Sequence, residues 1–73
     1  MDKNGNLNLK EIFALAVQNQ QKNNLKVAQD LYDEILKIVP NHLGSLNNLG
    51  STLKALGEFQ KAKDCFEKAI EID

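Results

Sequence analysis

The sequence contains no arginine and no tryptophan, and only one cysteine, one proline, one histidine and one tyrosine. Each scarcity excludes something. Without arginine there is no planar guanidinium fork to hold phosphate or carboxylate through two parallel hydrogen bonds. Lysine alone supplies positive charge, and a formal net charge of −1 leaves no basic field for nucleic acid. A lone cysteine, Cys65, rules out an internal disulfide, and nothing in the sequence calls for an oxidising compartment. No apolar run approaches the roughly 20 residues of a membrane-spanning helix. The opening "MDKNGNLNLK" is polar and lacks the apolar centre of a signal peptide, so the expected setting is cytoplasmic. A single histidine, His42, gives no Ser–His or Cys–His constellation, so no catalytic residue, metal site or cofactor is expected. With 73 residues the chain is one small domain, of a size that buries only a modest share of its surface.

The first residues carry a fragment of a metal-binding pattern. Asp2, Asn4 and Asn6 fall at alternate positions, as the first ligands of an EF-hand calcium loop do. That loop needs glycine next and a bidentate glutamate at its end. Leu7 and Phe13 stand there instead, and calcium binding is rejected. The simpler reading is a flexible leader, residues 1–8, ending in a helix cap: Asn8 as N-cap with Glu11 three residues on.

Beyond the leader the chain repeats itself. An offset of 34 residues pairs Leu15-Ala16 with Leu49-Gly50, Ile12 with Leu46, Asn23 with Gly57 and Leu25 with Phe59. It also pairs Ala28 with Ala62, Tyr32 with Phe66, Leu36 with Ile70 and Ile38 with Ile72, without a gap. Small residues meet small ones and aromatics meet aromatics. Within each unit, apolar residues recur at three- and four-residue spacing on both sides of a break, which is helical periodicity. The breaks are Asn23-Asn24 and Gly57-Glu58, residue types that tolerate the left-handed conformation just past a helix end. Asn24 is positioned to cap the following helix. Pro40 ends the second helix of the first unit. The spacing predicts helices over residues 9–22, 25–38, 43–56 and 59–72, an all-α chain of four antiparallel helices.

Gly50 interrupts a helix at a cost of about 1 kcal/mol relative to alanine. Its offset partner is Ala16, and each is expected to face a small residue, Ala62 or Ala28, on the next helix. Asp33 with Lys37 and Asp64 with Lys68 have the spacing of solvated i,i+4 pairs, and Cys65 reads as a small hydrophobe.

These residues resemble the tetratricopeptide repeat family. The second unit supplies Leu46, Leu49-Gly50, Leu53, Gly57, Phe59, Ala62, Phe66 and Ala69. The first supplies Ile12, Leu15-Ala16, Leu25, Ala28, Tyr32, Ile35 and Pro40, departing from the pattern at Asn19, Asn23 and Ile35. "LNNLG" in particular is similar to repeats of the O-GlcNAc transferase and its bacterial relatives. The resemblance implies two tandem helix-turn-helix repeats, residues 9–42 and 43–73, in a short right-handed superhelical array. It implies a non-catalytic module that binds a peptide or protein on a concave face lined by the first helix of each pair. On that face would lie Phe13, Val17, Gln20, Asn47, Asn48, Ser51 and Lys54. Phe13 and Val17 would form a small apolar patch, and Asn48 would be one rung of an asparagine ladder that Ala14 interrupts. A carboxylate clamp for acidic tails would need lysine and asparagine where Phe13 and Val17 stand, and is rejected.

Two further expectations concern the carboxyl end. In this family another helix covers the last pair, so Phe66, Ile70 and Ile72 are expected to lack a partner. Either copies of the chain self-associate through that face, or the chain is a segment of a longer array, such as the repeat region of a larger glycosyltransferase-like protein.

Overall fold

A computed structural model describes residues 7–73. Residues 1–6 lie outside the described part, and with them Asp2, Asn4, Asn6 and most of the expected leader. Four helices follow in order: α1 Leu9–Gln21, α2 Leu25–Ile38, α3 Leu43–Ala55 and α4 Phe59–Ile72. The described residues contain no strand. Helix α1 packs on α2, α3 on α4 and α2 on α3, while α1 and α3 touch only lightly. No described helix is long and apolar enough to cross a membrane.

Local chemistry explains the helix limits. Asn8 starts α1 through a capping box: its Oδ1 accepts the Glu11 N–H at 2.9 Å, and Glu11 Oε1 accepts the Asn8 N–H at 3.0 Å. The two hairpin turns have one geometry. Asn23 (φ 66°) and Gly57 (φ 84°) both take the left-handed conformation. After α1 the N–H groups of Asn23 and Asn24 return to the carbonyls of Gln20 and Asn19. After α3 those of Gly57 and Glu58 return to Lys54 and Leu53. Each pair forms a Schellman motif, which satisfies carbonyls that the helix end would otherwise orphan.

Asn24 does not cap α2 with its side chain. Its Nδ2 donates instead to Asn19 Oδ1 at 3.2 Å, and Asn19 in turn donates to the Leu15 carbonyl at 2.8 Å. The α2–α3 link ends in an aromatic cap, with His42 Nδ1 accepting the Ser45 N–H at 3.1 Å.

The core lies along the α1–α2, α2–α3 and α3–α4 contacts. Ala16, Ala28, Tyr32 and Ile35 are completely buried, and Leu46, Leu49, Leu53, Ala62 and Ala69 nearly so. Thr52 is buried with its hydroxyl donating to the Asn48 carbonyl at 2.8 Å. Ser45 Oγ, also buried, has no hydrogen-bond partner among the described residues.

Gly50 makes room for a different neighbour from the one its spacing suggested. A Cβ at Gly50 would stand 2.7 Å from the Phe66 ring, so the glycine is the seat of that ring and not a bare contact with Ala62. Phe66 therefore has a partner: it is half-buried and packs on the core. Leu15, which keeps helical step with buried residues, is 37% exposed on the outer flank of α1. The ion pairs also shift. Lys37 meets Glu34 at 3.1 Å in place of Asp33, and Asp64 accepts from Gln60 at 3.3 Å. Such exposed contacts contribute little to stability.

Candidate functional site

Helices α1 and α3 each give one side to packing and one to a shared outer face. On α3, three- and four-residue steps put Asn47, Ser51 and Lys54 in solvent while Leu46, Leu49, Gly50 and Leu53 point inward. No hydrogen bond or ion pair engages the Asn47, Ser51 or Lys54 side chains among the described residues. On α1 the corresponding Phe13, Val17 and Gln20 are half-buried.

Phe13 sits at the joint of the two hairpins. Its ring meets Tyr32 edge-on at 6.0 Å and His42 edge-on at 5.2 Å between centroids. A Cβ at Gly44 would stand 3.1 Å from the Phe13 ring tip, so Gly44 leaves room for it. Phe13 thus binds α1, α2 and the start of α3 together, and with Val17 it packs on the core cluster. An apolar edge is offered to solvent, not a free patch. Its pairing with His42 was not apparent from sequence periodicity, because His42 lies in the link after α2, outside any helix of the pattern.

Gln20 engages the Tyr32 hydroxyl, and Asn48 lies near it. The Tyr32 ring is buried and its hydroxyl donates to Gln20 Oε1 at 2.6 Å. Burial raises the Tyr32 pKa above its ordinary value, and the influence of the nearby Asn48 side chain pulls it the other way. A buried tyrosine needs a partner for its hydroxyl. The bond therefore ties α1 to α2 at the floor of the α1–α3 face, with the half-buried Asn48 of α3 close by. The need of a buried tyrosine for a hydroxyl partner was the available signal for this contact. Ala14, the interrupted rung, lies elsewhere. It lines a shallow groove on the outer flank of α1 with Leu7, Glu11, Leu15 and Gln18.

The carboxyl-terminal residues sort into two kinds. Phe66 is held over Gly50, whereas Ile70 is 75% exposed and Ile72 is also exposed. An open groove over α4 runs along Lys54, Phe59, Ala62, Lys63, Phe66, Glu67 and Ile70. Cys65 is half-buried. Burial, then the charges of Asp33 and Asp64, push its thiol above the ordinary cysteine value, which disfavours the reactive thiolate. No three His, Cys, Asp or Glu side chains gather into a metal-binding group among the described residues.

No curated protein and no solved structure matches the chain. The family model of the tetratricopeptide repeat matches residues 45–73. That stretch runs from the first turn of α3 to the end of α4, so the match falls on the second hairpin. Repeats of this family mediate protein–protein interaction. The chain is all-α, its four helices are consistent with helix-turn-helix repeats of that kind, and its residues 45–73 carry the family's signature.

Proposed function

We propose that the chain is a non-catalytic interaction module of two tetratricopeptide-like repeats, residues 9–42 and 43–73, that takes an extended peptide or protein segment across its α1–α3 face. One observation carries this reading: Asn47, Ser51 and Lys54 stand exposed in a row on α3, unused by the fold. Asparagine both donates and accepts, so Asn47 can grip a peptide backbone without reading its sequence. Ser51 adds a hydroxyl and Lys54 a cation beside it. Behind them the edges of Phe13 and Val17 supply apolar contact, and the Tyr32–Gln20 bond, with Asn48 close by, keeps the floor rigid. Preorganised contacts of this kind reduce the ordering cost of binding.

The test uses peptides selected from a random display library on the immobilised chain. Titrated into isotope-labelled protein, a selected peptide is expected to shift the amides of Val17, Asn47, Asn48, Ser51 and Lys54. Asn47→Ala and Lys54→Ala, both exposed, are expected to weaken it with the fold unchanged. Shifts confined to α2 and α4, or no peptide recovered, would contradict the reading.

A further inference from the structure

We propose that copies of the chain stack head to tail, α4 of one copy receiving α1 of the next. This goes beyond peptide binding and uses the outer flanks of α1 and α4, which share only Lys54 with the α1–α3 face. The joint it requires already exists once inside the molecule. Helices α2 and α3 pack together, and on α2 Gln29 and Tyr32 are buried and Leu36 is half-buried on the core. Helix α3 brings Ser45, Leu49 and Thr52, all buried. Moving the α2 set forward by the 34-residue repeat gives Lys63, Phe66 and Ile70, which line the open groove on α4. Moving the α3 set back by the same step gives Glu11, Leu15 and Gln18, which line the open groove on α1. These two flanks, uncovered among the described residues, are the two halves of one interface.

The chemistry of the halves agrees. Leu15 stands where Leu49 is buried, and Ala16 stands where Gly50 gives room. The α4 groove carries Lys54 and Lys63 against one acid, Glu67. The α1 groove carries the acid Glu11, whose Oε1 accepts the Asn8 N–H, and no cation among its described lining residues. Opposite charge at the rim orients the encounter. Repeat units that contact only their neighbours are extended by adding a unit with the same surface. A contact between two different flanks leaves one of each free in a pair of chains, so stacking continues past two.

Sedimentation of the chain across a wide concentration range tests this, with Leu15→Lys and Ile70→Lys as variants, each confirmed helical by circular dichroism. The unaltered chain is expected to rise from the mass of one chain past that of two. Each variant alone is expected to stay at one. An equal mixture of the two is expected to give a two-chain species and nothing larger, because only one donor and one acceptor flank remain intact between them. If Leu15→Lys loses helix, Ala14→Lys, exposed in the same groove, takes its place. A one-chain mass for the unaltered chain at the highest concentration would overturn the proposal. So would pairing of Leu15→Lys with itself, which would show α4 meeting α4, and so would a mixture that stays at one chain.

Discussion

Tyr32 and Phe66 occupy the same position in two successive hairpins, 34 residues apart, and meet different fates. Tyr32 is completely buried, with α1 on one side and α3 on the other, while Phe66 rests on Gly50 and keeps one face open. Leu49 and Leu15 repeat the contrast on the first helices: Leu49 lies under α2, and Leu15 has no described helix beside it. An aromatic or a leucine in a repeat does not carry its own burial. The neighbouring hairpin supplies it, which is how stability adds up in arrays of this kind.

The sharpest way to break the comparison is to delete both aromatics. For a domain of this length the total folding free energy is on the order of 4–11 kcal/mol. Tyr32→Ala is expected to cost about 3–5 kcal/mol, enough to unfold much of the population. Phe66→Ala is expected to cost about half as much, since only part of its ring leaves water. Urea denaturation followed by circular dichroism compares them; equal losses would mean that α3 adds nothing to the burial of Tyr32. Gly50→Leu comes next, at about 1–3 kcal/mol from overpacking against the Phe66 ring. Combining it with Phe66→Ala should recover most of that loss in a double-mutant cycle, whereas simple additivity would place the clash elsewhere.

Smaller effects sharpen the picture at the helix ends. Asn8→Ala is expected to cost about 1 kcal/mol because it removes a capping box, while Asn24→Ala, with no cap bond to lose, should cost well under that. Thermal melts of the two variants side by side measure the difference. Ser45→Ala is expected to be neutral or to stabilise by up to about 1 kcal/mol, because it removes a buried hydroxyl without a partner. A clear loss of stability in the same melts would reveal a hydrogen bond at that hydroxyl. The smallest effect concerns Cys65. With its thiol pKa raised by burial and by Asp33 and Asp64, the reactive thiolate fraction is depressed through mildly alkaline pH. Alkylation at about pH 8 should lag behind that of the denatured chain, where the shift is lost. Equal rates would contradict the burial of the thiol.

Much of this arrangement was legible in the sequence. The helix periodicity placed all four elements, and Asn23 with Gly57 marked both turns because few residue types accept a positive φ. What stayed hidden depends on which helix lies next to which. Leu15 and Leu49 have the same local pattern, and only the presence of α2 beside α3 separates an exposed leucine from a buried one. The seat of Phe66 on Gly50 was masked by Ala62, whose small size matched the glycine and drew the pairing away from the ring. At the candidate site, Asn47, Ser51 and Lys54 could be placed on one face from helical spacing alone. The commitments of Phe13 to His42 and of Gln20 to Tyr32 could not, because periodicity within one helix does not say which side chains of separate elements meet.

The central claim is that the neighbouring hairpin covers the first one and nothing in the described chain covers α4. Native-state hydrogen exchange in dilute solution, where each chain stands alone, measures this helix by helix. Amides of α2 and α3 are expected to exchange slowest and those of α4 markedly faster, with the loss of protection greatest toward Ile70 and Ile72. Protection in α4 equal to or above that of α2 would contradict the account.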